Sequence, residues 1–75
     1  MDVIPQATPL YATDGQYPGV FQVIGWIRHR EDEWSAVVRW AYDPDMKRQF
    51  MPQERKDLVT FHATLGEAHE EILSW

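Results

Sequence analysis

The chain has 75 residues, a net charge of −5, 44% hydrophobic and 25% charged residues, and no cysteine. This length makes a single domain, and the lack of cysteine excludes disulfides and thiol chemistry. The acidic balance disfavours non-specific binding to nucleic acid, which depends on neutralising phosphates. All seven lysines and arginines nevertheless lie between Arg28 and Lys56, so a local basic site remains open.

The N-terminal segment contains three of the five prolines and two of the four glycines. This composition predicts an extended or irregular arm over residues 1–19, followed by a compact domain over residues 20–75. The arm is too apolar for a free tail, so we expect part of it to lie on the domain, along a sheet edge. Its large apolar side chains are Ile4, Leu10, Tyr11 and Tyr17.

The same segment has no basic leader and no long apolar run. We therefore expect a complete small protein of the cytoplasm, without a signal peptide or a membrane span. The lack of cysteine agrees with a reducing compartment.

Two alternating segments, residues 20–29 and 34–42, predict a β-hairpin around the charged tetrapeptide of residues 30–33. If the tetrapeptide is the loop, Phe21 lies opposite Tyr42. In this register one face of the hairpin is apolar, and we expect it to be the core. The side chains predicted for that face are Phe21, Val23, Gly25, Ile27, Trp34, Ala36, Val38, Trp40 and Tyr42.

The opposite face of the predicted hairpin is only half polar, although a solvated face should be polar. Trp26 lies there with Arg28 and Arg39 diagonally around it, within reach of a cation–π contact. Tryptophan and arginine in an apolar surround are typical of a binding hot spot. This face is therefore predicted to bind a partner, unless the arm covers it or a second copy of the chain pairs with it. The predicted partner-binding residues are Ile24, Trp26, Arg28, Val37 and Arg39.

Shorter elements follow the hairpin. Pro44 marks a turn, and residues 47–51 are a candidate third strand. Residues 52–56 are polar and are expected to form a loop or one helical turn. Residues 58–62 have the composition of a strand.

A capping box predicts the start of a C-terminal helix. Thr64 and Glu67 have its spacing, so the helix should begin at Leu65 and run toward Trp75. About three turns are not stable alone, so the helix should dock on the aromatic face of the hairpin. The predicted fold is therefore α+β: an antiparallel three- or four-stranded meander with one C-terminal helix packed on one face. The expected apolar stripe of the helix is Leu65, Ala68, Ile72 and Trp75, with Glu67, Glu70 and Glu71 on the outer side.

Three histidines and twelve acids raise the question of a metal or catalytic site. His29, His62 and His69 do not have the spacing of a zinc-ligand motif. The acids of residues 31–33 and 70–71 fall on a hairpin tip and an outer helix side, where water keeps carboxylates ionised. The two serines lack a nucleophile elbow, and there is no phosphate loop. We therefore expect no enzyme, no cofactor, no metal and no catalytic residue.

The second half of the chain carries four features in order: Trp34 opening a strand, a turn at residues 42–45, a basic pair at residues 47–48 and a helix entry at residues 61–68. Over about residues 34–72 this order resembles the small three-stranded DNA-binding domains of phage-type integrases and AP2-like proteins. In those domains one residue separates the Phe and Thr of the helix entry, whereas two residues lie between Phe61 and Thr64 here. The resemblance implies that the sheet face opposite the helix, here the face of Trp26, reads the major groove.

Two functions remain open. The first is a small non-enzymatic protein-binding module, namely an adaptor, regulator or inhibitor, that acts through an open sheet face or edge. The alternative is a DNA-binding accessory module of the small three-stranded-sheet type, which the acidic composition makes the weaker of the two. The observation that separates them is whether one surface collects Arg28, Arg39, Lys47 and Arg48.

Overall fold

A computed structural model describes residues 3–45 and 51–75. These residues form six strands and one helix, which confirms the predicted α+β class with a C-terminal helix but exceeds the predicted three or four strands. Apart from Met51, the predicted strand at residues 47–51 lies outside the described residues. The elements are β1 (Val3–Pro5), β2 (Tyr11–Thr13), β3 (Val20–Arg30), β4 (Glu33–Tyr42), β5 (Gln53–Arg55), β6 (Thr60–His62) and α1 (Leu65–Leu73).

The strands belong to one antiparallel sheet of order β5-β4-β3-β2-β6, with β1 and β2 sharing one edge of β3. The predicted arm thus contributes two strands to the sheet. β5 lies where a loop or helical turn was predicted, and that prediction is wrong. Its polar residues form a strand because they pair with the buried strand β4, so the tertiary context outweighs their weak local preference.

The β3–β4 hairpin turns at residues 31–32, not through the whole tetrapeptide of residues 30–33. Phe21 consequently pairs with Trp40 and not with Tyr42, so the predicted register is wrong. A two-residue loop closes the strands more tightly than the run of charged residues suggested. The pairing also shifts at three places, so no single register describes the hairpin.

One of these shifts is a β-bulge in the middle of β3. Val23 pairs with Val38, and the next pair joins Gly25 to Val37. Ile24 is therefore an extra residue on β3. Because successive side chains of a strand point to opposite faces, the extra residue moves the side chains that follow it to the other face of the sheet.

The sheet has two faces of different character. The core face carries the buried cluster, and the helix face, which bears Gln22, Val37 and Arg39, is the one on which α1 packs. Ala68 is the fully buried residue of α1, and the helix contacts β2, β3 and β6. The helix thus lies opposite the aromatic core, not on it as predicted. The buried cluster consists of Ala12, Phe21, Val23, Ala36, Val38 and Trp40.

Tyr17 from a loop and Arg55 from the end of β5, not the helix, close the core face. The Tyr17 ring meets Trp40 edge-on at a centroid distance of 5.4 Å. The Arg55 guanidinium lies 4.6 Å from the Phe21 ring centroid and donates to Asp14 at 3.1 Å. This ion pair joins the end of β5 to the loop after β2 across the core. The helix was therefore not needed to cover the aromatic residues.

The predicted helix start is confirmed. Thr64 Oγ1 accepts a hydrogen bond from the Glu67 backbone N–H at 3.2 Å, and the Thr64 hydroxyl lies 3.0 Å from a Glu67 carboxylate oxygen. The predicted apolar stripe is only partly buried, since Leu65 and Trp75 stay exposed. The helix therefore needs contacts other than apolar ones to hold it on the sheet.

Replacement of Trp40 by Ala should lower the free energy of unfolding by about 3–5 kcal/mol, because a buried aromatic side chain leaves a cavity. Trp40 is 7% exposed and its ring centroid lies 4.1 Å from that of Phe21. Urea denaturation measures the loss. Trp34→Ala is the matched control on the same strand, and equal losses in the two variants would contradict the assignment of the core face.

Candidate functional site

The five predicted partner-binding residues do not share one surface. Trp26 and Arg28 lie on the core face, beyond the bulge. Val37 and Arg39 lie on the helix face, and Ile24 is the bulge residue itself. The predicted single patch is wrong because the uniform register did not allow for an extra residue in β3. Binding by either subset stays a prediction.

A smaller surface gathers around Trp26 at the rim of the core face. Ile4 is the pairing partner of Trp26 between β1 and β3. The ring centroids of Trp26 and Phe61 lie 6.2 Å apart, and the Arg28 guanidinium lies 5.9 Å from the Trp34 ring centroid. Trp26 and Arg28 are two residues apart on the same face of β3, so these two groups of side chains are neighbours along the strand. We define the Trp26 surface as Ile4, Trp26, Arg28, Trp34 and Phe61.

Three members of the Trp26 surface are well exposed: Ile4 by 49%, Phe61 by 43% and Trp34 by 42%. Trp26 itself is half-buried, packs against the core cluster and donates through Nε1 to the Gln6 side-chain oxygen at 2.9 Å. The indole is thus held in one orientation at the centre of the exposed ring of side chains.

A close approach of two backbones places Ile4 in this surface. A Cβ atom on Gly25 would lie 2.6 Å from Cγ1 of Val3 and 2.9 Å from the carbonyl oxygen of Ile4. Only glycine therefore allows β1 to pair this closely with β3. A glycine inside a predicted strand is the sequence signal that could have revealed both the bulge and the approach of β1.

Gly25→Ala should loosen β1, because the new methyl group collides with the Ile4 backbone, and should cost about 1–3 kcal/mol of stability. The hydrogen bond from the Gln6 N–H to the Ile24 carbonyl marks the edge of this pairing. Hydrogen exchange of the Gln6 amide should therefore become faster than in the natural protein.

The matched control is Gly66→Ala on α1, where the nearest atom to the new methyl would be Thr64 Oγ1 at 4.0 Å. This change should stabilise the helix by about 0.4–1 kcal/mol. Unchanged Gln6 exchange in Gly25→Ala would show that β1 does not depend on the glycine.

A histidine–serine–carboxylate cluster lies on the helix face near the hairpin tip. His29 Nε2 lies 2.6 Å from Glu54 Oε2 and 2.9 Å from Ser35 Oγ. Hydrogen bonds from Ser35 and His29 lower the pKa of Glu54. A hydrolytic triad needs the serine and the carboxylate on opposite ring nitrogens, whereas both partners here meet the same one. Ser35 is also 1% exposed, so this geometry ties strands together and does not present a nucleophile.

Glu71 joins α1 to the sheet. His62 Nε2 lies 2.6 Å from one carboxylate oxygen, and Thr13 Oγ1 and Trp75 Nε1 donate to the other at 3.0 and 3.1 Å. Burial raises the pKa of Glu71, but the hydrogen bonds from these three residues outweigh it and lower the pKa below its ordinary value. The prediction that Glu71 lies on the outer helix side is wrong, because the helix turns this carboxylate toward donors on β2 and β6.

Glu71→Gln should lower the free energy of unfolding by about 1–2 kcal/mol at neutral pH, since a charged acceptor is lost. A carboxylate whose pKa is lowered by folding stabilises the protein above its unfolded pKa, and this contribution disappears as the pH falls through the folded pKa. The difference between the two proteins should therefore shrink below about pH 4.

Urea denaturation between acidic and neutral pH measures this difference. Glu70→Gln, at the neighbouring exposed position of α1, is the control and should stay within about 0.5 kcal/mol of the natural protein. A difference for Glu71→Gln that does not change with pH would contradict the role of its ionised form.

The chain matches no protein-family model, and no curated protein or solved structure matches it. Within residues 3–45 and 51–75, no group of three or more histidine, aspartate and glutamate side chains could hold a metal ion. The helix in this described part is too short and too polar to cross a membrane.

Proposed function

We propose that the protein is a non-enzymatic protein-binding module, acting as an adaptor, regulator or inhibitor, and that it binds its partner through the Trp26 surface. The observation that carries this proposal is the exposure of Ile4, Trp34 and Phe61 around the fixed Trp26 indole. Single exposed apolar residues are normal on any protein, whereas contiguous ones mark interaction sites.

The composition of the surface supports a protein partner. Tryptophan and arginine are the residues most enriched at interface hot spots. Trp26 is already oriented by Gln6 and by the core, so binding orders few additional side chains. The Arg28 guanidinium lies over the Trp34 ring, and its Nε donates to the Arg30 carbonyl oxygen at 3.4 Å. It pairs with no carboxylate among the described residues, so its terminal amino groups can meet an acceptor of the partner.

The distribution of positive charge favours protein over DNA. Arg28 and Arg39 lie on opposite faces of the sheet, and residues 47–48 lie outside the described part of the chain. Binding along a duplex requires several cations on one surface, because each one neutralises a phosphate. The net charge of −5 supports the same choice.

The proposal includes the absence of catalysis and a location in the cytoplasm. The absence of catalysis is supported by the His29 cluster, where Ser35 and Glu54 both meet the same ring nitrogen. The lack of cysteine favours the second, because a cytoplasmic protein gains nothing from disulfides.

Trp34→Gln should weaken partner binding at least tenfold, because an exposed aromatic anchor is lost from the surface. Leu73→Gln is the control, since Leu73 is an exposed large apolar residue (72%, against 42% for Trp34) at the far end of α1. Capture of proteins from cells that produce the chain, compared between the two variants by quantitative mass spectrometry, selects candidates. The purified candidate is then titrated by calorimetry against the natural protein, Trp34→Gln and Leu73→Gln.

Three outcomes are informative. The proposal is supported if Trp34→Gln weakens binding of the candidate and Leu73→Gln does not. Sedimentation of the chain then shows whether the partner is a second copy of it. If Trp34→Gln and Leu73→Gln bind the candidate equally well, the Trp26 surface is not the binding site. Binding of a labelled DNA duplex that weakens steeply with salt would replace the protein partner by DNA. Urea denaturation of each variant verifies that the fold is intact.

A further inference from the structure

The helix face carries an open cleft beside the first turn of α1, on the other side of the sheet from the Trp26 surface. The cleft has a volume of about 410 Å³ and is open to solvent. A second cavity of about 320 Å³ adjoins it, and Leu65 lines both. The cleft is lined by Tyr11, Gln22, Arg39, Trp40, Ala41 and Leu65.

Arg39 is the charged group of this cleft. The side chain is exposed, and its Nε donates to the Gln22 side-chain oxygen at 3.0 Å, which orients the guanidinium. Among the described cations, Arg30, Arg55 and Lys56 each lie within 3.9 Å of a carboxylate, whereas Arg28 and Arg39 meet none, and of these two Arg39 lines the cleft. An arginine that finds no carboxylate in so acidic a chain is available to an anionic ligand.

The geometry points to a carboxylate and not to a nucleic-acid backbone. A guanidinium whose Nε is already engaged still presents both terminal amino groups, which match the two oxygens of a carboxylate. A phosphate backbone requires several cations in a row, and Arg39 is the single one that lines the cleft.

The adjoining cavity adds a preference for an apolar neighbour. It is lined mainly by apolar surface from Tyr42, Leu65, Gly66 and His69. The Tyr42 and His69 rings meet edge-on at a centroid distance of 4.9 Å, so this wall is held in place. A ligand that binds beside Arg39 therefore has an apolar space next to it, on the other side of Leu65.

We propose that this cleft binds an acidic peptide segment of a partner protein. The Arg39 guanidinium takes the carboxylate of an Asp or Glu, and the adjoining cavity takes a neighbouring aliphatic side chain. The cleft is separate from the Trp26 surface, so one molecule carries binding sites on opposite faces of its sheet. This arrangement lets the protein bridge two partners.

The probes are the peptides Ac-Gly-Glu-Leu-Gly-NH2 and Ac-Gly-Leu-Glu-Gly-NH2, together with versions that carry Gln in place of Glu. Each is titrated into the full chain labelled with ¹⁵N. At least one Glu peptide should shift the Arg39 Nε–H and Gly66 amide signals saturably, and at least tenfold more tightly than its Gln version. Arg39→Gln should abolish the difference between the two peptides, whereas Arg30→Gln on the hairpin tip should retain it.

Several results would overturn the proposal. They are equal binding of the Glu and Gln peptides, shifts confined to other residues, and no saturable shift up to about 10 mM peptide. A DNA duplex that shifts the Arg39 signal more strongly than either peptide would also overturn it. If Trp34→Gln still binds the peptide, the cleft is a site separate from the Trp26 surface. If Trp34→Gln is folded but no longer binds the peptide, the two sites are not separate.

Discussion

The extra residue Ile24 decides which side chains of the long hairpin reach which face of the sheet. Before it, Phe21 and Val23 point into the core, and after it Trp26 and Arg28 occupy the same face. The buried core therefore ends halfway along β3, and an aromatic side chain stands at its rim. Bulges are frequent beside functional sites because they redirect side chains in this way. The proposed protein-binding surface follows from that single irregularity.

The N-terminal segment supplies two of the residues beside Trp26. Gly25 has no side chain, so β1 comes close enough to pair with β3 and brings Ile4 beside Trp26. The segment between β1 and β2 supplies Gln6, which holds the indole. Residues that read as an arm in the sequence thus build the sheet edge and the candidate site together.

Because a loop residue and the last residue of β5 cover the core, the helix has a different role. Tyr17 and Arg55 cover the aromatic residues, so α1 packs on the opposite face, where Glu71 holds it through polar contacts. Its first turn leaves Leu65 partly exposed at the cleft of Arg39. A chain this short buries roughly 60% of its unfolded surface, and apolar side chains stay exposed on both faces of the sheet.

The sequence by itself determined the α+β class, the two long strands to within about one residue and the start of the helix at Thr64. Alternation and capping are local properties, and a few neighbouring residues suffice to express them. It also singled out Trp26, Arg28 and Arg39 but grouped them on one face of the hairpin, and that grouping is wrong. Only the tertiary structure decided the bulge, the three-residue strands β1, β2 and β5, and the face on which α1 packs. These depend on contacts between residues far apart in the chain, such as Ile4 with Trp26 and Thr13 with Glu71, which no local pattern encodes.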